Sequence, residues 1–185
     1  MTAKLFTTKL LVAFQLDASF ANATLDYFTK NEEHFKKSMP QWEEDFLTFE
    51  YQLKLLMKQQ KEIQAGRLFK FWLFEASENP SNEIIGDISL NNIVRGAFQS
   101  CHIGYKLNAK HVGKGLMQEA LQACIDYAFN ELKLHRLEVN IMPSNINSIA
   151  LAERLMFKKE GFSPNYLKIN GKWENHIRYA MLNES

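Results

Sequence analysis

QSCHIGYKLNAKHVGKGLMQEALQACIDYAFN, residues 99–130, is the stretch from which the fold can be read. Its first part alternates: Cys101, Ile103, Tyr105 and Leu107 interleave with Ser100, His102, Gly104 and Lys106, as in a strand with two different faces. Its second part has helical period, with Leu116, Met117, Ala120, Leu121, Cys124, Ile125, Ala128 and Phe129 recurring in pairs on one apolar stripe. Between them lies Lys110-His111-Val112-Gly113-Lys114-Gly115. A strand that passes through glycines into a helix start leaves backbone N–H groups unpaired at one point, beside the positive end of the helix dipole. Such a place suits an anion, and a diphosphate in particular. The plain alternative is an ordinary strand–helix connection in which the glycines serve only the turn. The spacing matches neither common nucleotide loop. Leu116 stands where a Walker loop needs Ser or Thr, and the third glycine of a dinucleotide fingerprint is missing.

Working outward, a first strand is expected over residues 9–14, with Leu10, Val12 and Phe14 on one face. Asp17 or Ser19 caps a helix reaching residue 27 or beyond. After Pro40 the spacing of Trp42, Phe46, Phe49, Leu53, Leu56 and Gln60 predicts a longer helix ending before Gly66. Residues 68–75 and 83–90 read as antiparallel strands around the turn signal Asn79-Pro80-Ser81-Asn82. Residues 134–142 follow the core helix as a further strand. Strand, helix and strand in that order imply a right-handed parallel crossover. Asn145, Asn147 or Ser148 then caps a helix to about residue 157, and Asn170-Gly171 marks a closing hairpin with a type I′ turn. No linker or repeat interrupts the chain, so residues 1–185 are expected to form one α/β domain.

Bulk properties narrow the function classes. With 185 residues, 46% of them hydrophobic, a sizeable single core is expected. The balance of 22 basic and 21 acidic residues lacks a polyanion-binding signature and argues against nucleic acid as direct partner. Cys101 and Cys124 read as buried free thiols of a reducing compartment. Leu10 to Phe14 is too short an apolar run for a secretion signal, and nothing approaches a membrane span. A cytoplasmic location is therefore expected. His34, His102, His111, His135 and His176 show no ligand spacing, so no metal is expected.

The loop resembles the acetyl-CoA loop of the GNAT acetyltransferases, Gln/Arg-x-x-Gly-x-Gly/Ala, with Lys110 in the first position and Gly113 and Gly115 in the small ones. The likeness continues in the family's order: Leu134-His135-Arg136-Leu137-Glu138, Met142-Pro143-x-Asn145-x-x-Ser148, and Leu155-Met156-Phe157-x-x-Glu160-Gly161-Phe162. Glu83-Ile84-Ile85-Gly86, Asn92 through Phe98 and Asn170-Gly171-Lys172-Trp173 resemble the RimJ/RimL subgroup, and the RimJ type most. That subgroup acetylates the α-amino groups of ribosomal proteins. The resemblance covers roughly residues 9–182. It implies the GNAT fold, a mixed and mostly antiparallel sheet whose central parallel strand pair splays apart, flanked by helices.

What the resemblance implies for the site follows residue by residue. Tyr105, Lys106 and Leu107 would meet pantetheine in the splay. Val112, Gly113, Lys114, Gly115 and Leu116 would hold the diphosphate, and Asn145 would approach the cofactor's reactive end. Amide formation from a thioester needs a positioned amine, loss of its proton, a donor for the oxyanion and an acid for the thiolate. Many relatives carry a tyrosine acid seven residues after the asparagine, where this chain has Ala152; the RimL-type alternative is Ser148. Glu138 is the favoured base, with Asp87, Tyr105 and His102 behind it; Leu167 replaces the carboxylate some relatives use. An α-amine, with a pKa near 8, is about one-tenth neutral at pH 7, whereas a lysine amine needs roughly 3.5 kcal/mol more. This favours a protein N-terminus, with Glu43, Glu44, Asp45 and Glu50 or Phe35, Trp42 and Tyr166 near its entrance. A small amine (amino sugar, polyamine or antibiotic) and a non-catalytic acyl-CoA-binding module are the alternatives. Monomer and homodimer are both compatible with the sequence.

Overall fold

The alternation over residues 100–107 and the helical period over 116–129 become adjacent layers in the computed structural model, which describes residues 3–76 and 83–184. The strands are Ala3–Thr7 (β1), Leu11–Gln15 (β2), Phe69–Glu75 (β3), Gly86–Val94 (β4), Ser100–Leu107 (β5), Arg136–Ile141 (β6), Lys158–Ile169 (β7) and Lys172–Leu182 (β8). They form one eight-stranded sheet in the order β1-β2-β3-β4-β5-β6-β8-β7. Neighbours are antiparallel except β5 and β6, which run parallel. The helices are Ala21–Lys30 (α1), Glu32–Phe35 (α2), Phe49–Gln64 (α3), Leu116–Asn130 (α4) and Ile146–Arg154 (α5).

The sheet is covered on both faces, and the sequence of β3 shows why. Phe71 and Leu73 enter one apolar cluster with Ile88, Ile103 and the stripe of α4. Trp72 and Phe74 enter the other with Tyr27, Phe28, Phe35, Phe46 and Leu56. A strand buried on both sides reads as a continuous apolar run rather than an alternation. The same geometry corrects the first strand. β2 begins at Leu11, Leu10 is 43% exposed, and Leu11 and Ala13 face α4 while Val12 faces the early helices. β1, absent from the sequence reading, pairs with β2 at the sheet edge.

Two helices differ from expectation. The predicted helix after Pro40 starts only at Phe49, where Thr48 Oγ1 accepts the Tyr51 N–H at 3.2 Å as N-cap. Trp42 and Phe46 precede it, stacked on each other at 4.4 Å, so their spacing imitated a helical stripe through a tertiary contact. Within α3, Gln52 and Leu56 are the buried positions, and Phe49 is exposed. α5 stops at Arg154 because Met156 turns to φ 69°, while Phe157 N–H reaches the Ala152 carbonyl at 3.0 Å. The final hairpin follows its signal, with Asn170 and Gly171 both at positive φ, 42° and 83°. The turn signal at residues 79–82 lies outside the described residues. Both cysteines are buried and free. Among the described residues, no helix is long and apolar enough to cross a membrane and no cluster of side chains could hold a metal ion.

Candidate active site

The parallel pair holds together for only three rungs: Ser100 with Arg136, Cys101 with Leu137, and His102 with Glu138. Beyond them β5 stays bound to β4 as far as Leu107, and β6 to β8 as far as Ile141. The two strands therefore part, each anchored to its other neighbour. A cleft of about 380 Å³ opens at the parted end of β5. Tyr105, Leu107, Leu116, Asn145 and Ser148 line it on the side of α4 and α5; His34, Phe35 and Ser38 line it from the other layer. Lys106, Val112, Gly113 and Gly115 complete the set of sequence-predicted residues brought to it.

The loop between β5 and α4 is held from behind. Asn108 is buried and its side chain accepts the Lys110 N–H at 3.1 Å, while Asn31 Oδ1 accepts that of Ala109 at 2.9 Å. Gly113 and Gly115 then take φ of +82° and +77°, a left-handed backbone that glycine adopts without penalty. No atom lies within 4 Å of where a Cβ would stand at either, so it is the hand of the backbone, not crowding, that asks for glycine. Gly115 is the N-cap of α4 and brings no side-chain cap. Glu119, the acid in the first turn, is occupied by the Leu10 N–H at 2.8 Å. The first-turn amides of α4 thus face the cleft end without a capping side chain, which is the arrangement that receives an oxyanion.

At the other end of the cleft, Asn145 is the N-cap of α5, its Oδ1 accepting the Ser148 N–H at 3.2 Å. The cap is therefore Asn145, and the Ser148 hydroxyl hydrogen-bonds to none of the described residues. Tyr105 reaches across from β5 and donates its hydroxyl to the Ser148 carbonyl at 3.4 Å. Burial pushes the Tyr105 phenol above its ordinary value, so it stays a donor. Lys114 and Glu138 are not among the residues lining the cleft. Lys114 is exposed. Glu138, at the last rung, accepts from Arg136 Nε at 2.7 Å and lies 3.5 Å from His102 Nε2. Asp87 is fully buried between Lys70 and Lys106, with the Tyr27 hydroxyl donating to it at 3.1 Å.

Sequence reasoning passed over His34, Ser38 and Arg154. His34 belongs to a single helical turn too short to show periodicity. Arg154, at the end of α5, also lines the cleft and donates to Gln118 Oε1 on α4 at 3.2 Å.

Residues 14–158 match the acetyltransferase (GNAT) domain. The [Ribosomal protein uS5]-alanine N-acetyltransferase of Escherichia coli (strain K12) is 37% identical over 179 residues, covering 96% of this chain and 90% of that protein. The crystal structure of ribosomal-protein-S5-alanine acetyltransferase from Vibrio fischeri superposes with a TM-score of 0.91 at 31% identity, covering 99% of this chain and 98% of the other. RimL, the ribosomal L7/L12 alpha-N-protein acetyltransferase solved in complex with coenzyme A, shares the fold with a TM-score of 0.86 at 23% identity, over 97% and 98% of the two chains. A split parallel pair, an uncapped glycine helix start and these likenesses agree, and the chain belongs to the GNAT acetyltransferase family.

Proposed function

We propose that this protein transfers an acetyl group from acetyl-CoA to the N-terminal α-amino group of a protein, of the ribosomal-protein-alanine type. The observation that carries the reading is the gap beyond the His102–Glu138 rung, which joins the bare amides of α4 to Tyr105, Asn145 and Ser148. The free edges of β5 and β6 suit the amide-bearing pantetheine arm, and residues 112–116 suit the diphosphate, with Arg154 adding positive charge. Acetyl-CoA supplies a carbonyl carbon activated by a thiolate leaving group. A β5 backbone N–H stabilises the oxyanion, and the Ser148 hydroxyl hydrogen-bonds the departing sulfur. Tyr105 holds Ser148 in place across the gap.

Glu138 is committed to Arg136, so we assign it the positioning of His102 and Arg136 at the last rung, and assign the proton of the amine to solvent. The ordinary pKa of an α-amine, near 8, makes that sufficient. The likeness to two alanine N-acetyltransferases supports an N-terminal substrate over a small amine. The test is calorimetric titration with acetyl-CoA followed by release of free CoA with Ala-, Ser- and Met-starting peptides and with spermidine. Saturable binding and faster turnover of a peptide are expected. Turnover of spermidine alone would overturn the substrate, and absence of acetyl-CoA binding would overturn the whole reading.

A further inference from the structure

Lys106 follows Tyr105 directly at the parted end of β5, and it lines the cleft. Tyr105 packs towards the layer of α4 and α5, so by alternation the Lys106 side chain passes to the opposite layer, whose aromatic cluster holds Phe35. Strand pairing sets it across from Asp87 on β4, and its Nζ donates to Asp87 Oδ1 at 3.1 Å. Asp87 in turn is fixed by Lys70 from β3 and by the Tyr27 hydroxyl from α1. One ammonium hydrogen serves this carboxylate and the side chain is 19% exposed, so the charge is held at the cleft wall.

Two cations share one anion at this wall, and the surplus is positive. The rest of the lining does not offset it. Among the described residues that line the cleft there is no Asp or Glu, Arg154 on α5 is the other permanent charge, and His34 on α2 is the one imidazole. Burial keeps the phenols of Tyr27 and Tyr105 protonated and therefore neutral. Farther back on the same face, Glu138 is engaged by Arg136 and lies beside His102. The acids expected near the entrance, Glu43, Glu44, Asp45 and Glu50, are not among the lining residues. A cleft without a carboxylate has no counter-ion for an ammonium group, and a surplus cation at its wall makes bringing one in harder still. A neutral amine meets no such barrier.

We infer that Lys106, held in place by Asp87, selects the acceptor, admitting an amine in its neutral form and turning away polycationic amines. The inference rests on the acetyl-transfer reading above and deepens it, because it names the residue that makes an α-amine the better substrate. An α-amine, with an ordinary pKa near 8, gives its proton to solvent readily on entering; an alkylamine near 10.4 does so far less often. A polyamine brings further positive charges to the same wall.

The experiment compares wild type, Lys106→Met and Lys106→Arg as full-length protein. It uses kinetics across pH with an Ala-starting peptide and with spermidine, beside acetyl-CoA calorimetry and thermal melting. The pH profile of kcat/KM follows the free peptide amine, whereas that of kcat follows the amine inside the complex. In wild type the rise of kcat should therefore come about one pH unit below that of kcat/KM, the displacement a cation at close range causes. Lys106→Met should close this gap and improve spermidine relative to the peptide by about tenfold, and Lys106→Arg should restore both. Lys70 stays beside Asp87 in either variant, so the carboxylate keeps a partner. A merely structural lysine would lower the melting temperature without moving the two profiles relative to each other. Wild-type profiles that coincide overturn the inference even if no variant folds, and so does a Lys106→Met enzyme whose profiles and acceptor preference match wild type. A wild type that binds acetyl-CoA yet acetylates no peptide overturns the parent reading and this inference with it.

Discussion

The two faces of the sheet are built from different materials. Beneath α4 and α5 the sheet presents Ile88, Leu90, Cys101, Ile103, Leu137 and Val139, and the packing is apolar, aliphatic side chains with the rings of Phe71 and Tyr179 among them. Beneath α1 to α3 it presents Trp72 and Phe74 beside a buried set of charges, Lys70, Asp87 and Lys106, with Lys70 lying 4.8 Å from the Trp72 ring centre. The first face needs only shape and apolar area. The second depends on charges that must balance after losing water. The cleft draws on both faces: Tyr105, Leu107 and Leu116 reach it from the first, Phe35 and Lys106 from the second.

The comparison can be broken at Asp87. Burial alone would raise its carboxyl, but the ammonium groups of Lys106 and Lys70 outweigh that and hold it below the ordinary range. Removing it with Asp87→Ala strands two buried cations, which should cost about 3–5 kcal/mol. A fall in melting temperature on the order of 10 °C is expected by calorimetry; a fall as small as that of an exposed alanine substitution would show that the charges are not structural. The same cluster has a pH signature. Burial pushes Lys70 down to about 8 from its ordinary 10.5, against the pull of Asp87. The unfolded chain then holds a proton that the native chain has released, so stability from this group rises between pH 8 and 10.5. Lys70→Met should abolish that rise in denaturant titrations.

Smaller effects sharpen the other side. Ser148→Ala should lower kcat by roughly a hundredfold, with acetyl-CoA affinity kept, in steady-state kinetics beside calorimetry. Unchanged turnover removes the hydroxyl from the chemistry. Gly115→Ala forces a side chain into a left-handed position at about 1–2 kcal/mol, and should weaken coenzyme binding by displacing the amides of α4. Thr48→Ala deletes the N-cap of α3 for about 1 kcal/mol in denaturant melts, without touching turnover.

What could be read beforehand follows the same division. Strand β5, helix α4 and their loop were legible because each buries one stripe or one face locally, so sequence period and burial coincide. Asn145 and Ser148 came from the resemblance, and the cleft brings both to one place. The early half was harder. β1 pairs at an edge with an irregular register between Lys4 and Phe6, and its residues are largely exposed, leaving little alternation to detect. Trp42 and Phe46 satisfied a helical spacing while sitting in a connection. Asp87 read as a weak base candidate because its partners lie 17 and 19 residues away and only sheet pairing brings them together.

The three rungs between β5 and β6 carry one more consequence. They are the seam joining a five-strand half of the sheet to a three-strand half, because strand order places β1 to β5 on one side and β6 to β8 on the other. A molecule lodged beyond the seam with hydrogen bonds to both margins acts as mortar between two slabs. Saturating it with a ligand at a hundred times its Kd would add about 2.7 kcal/mol of resistance to unfolding. Supply of that ligand would then set the lifetime of the folded protein as well as its working rate.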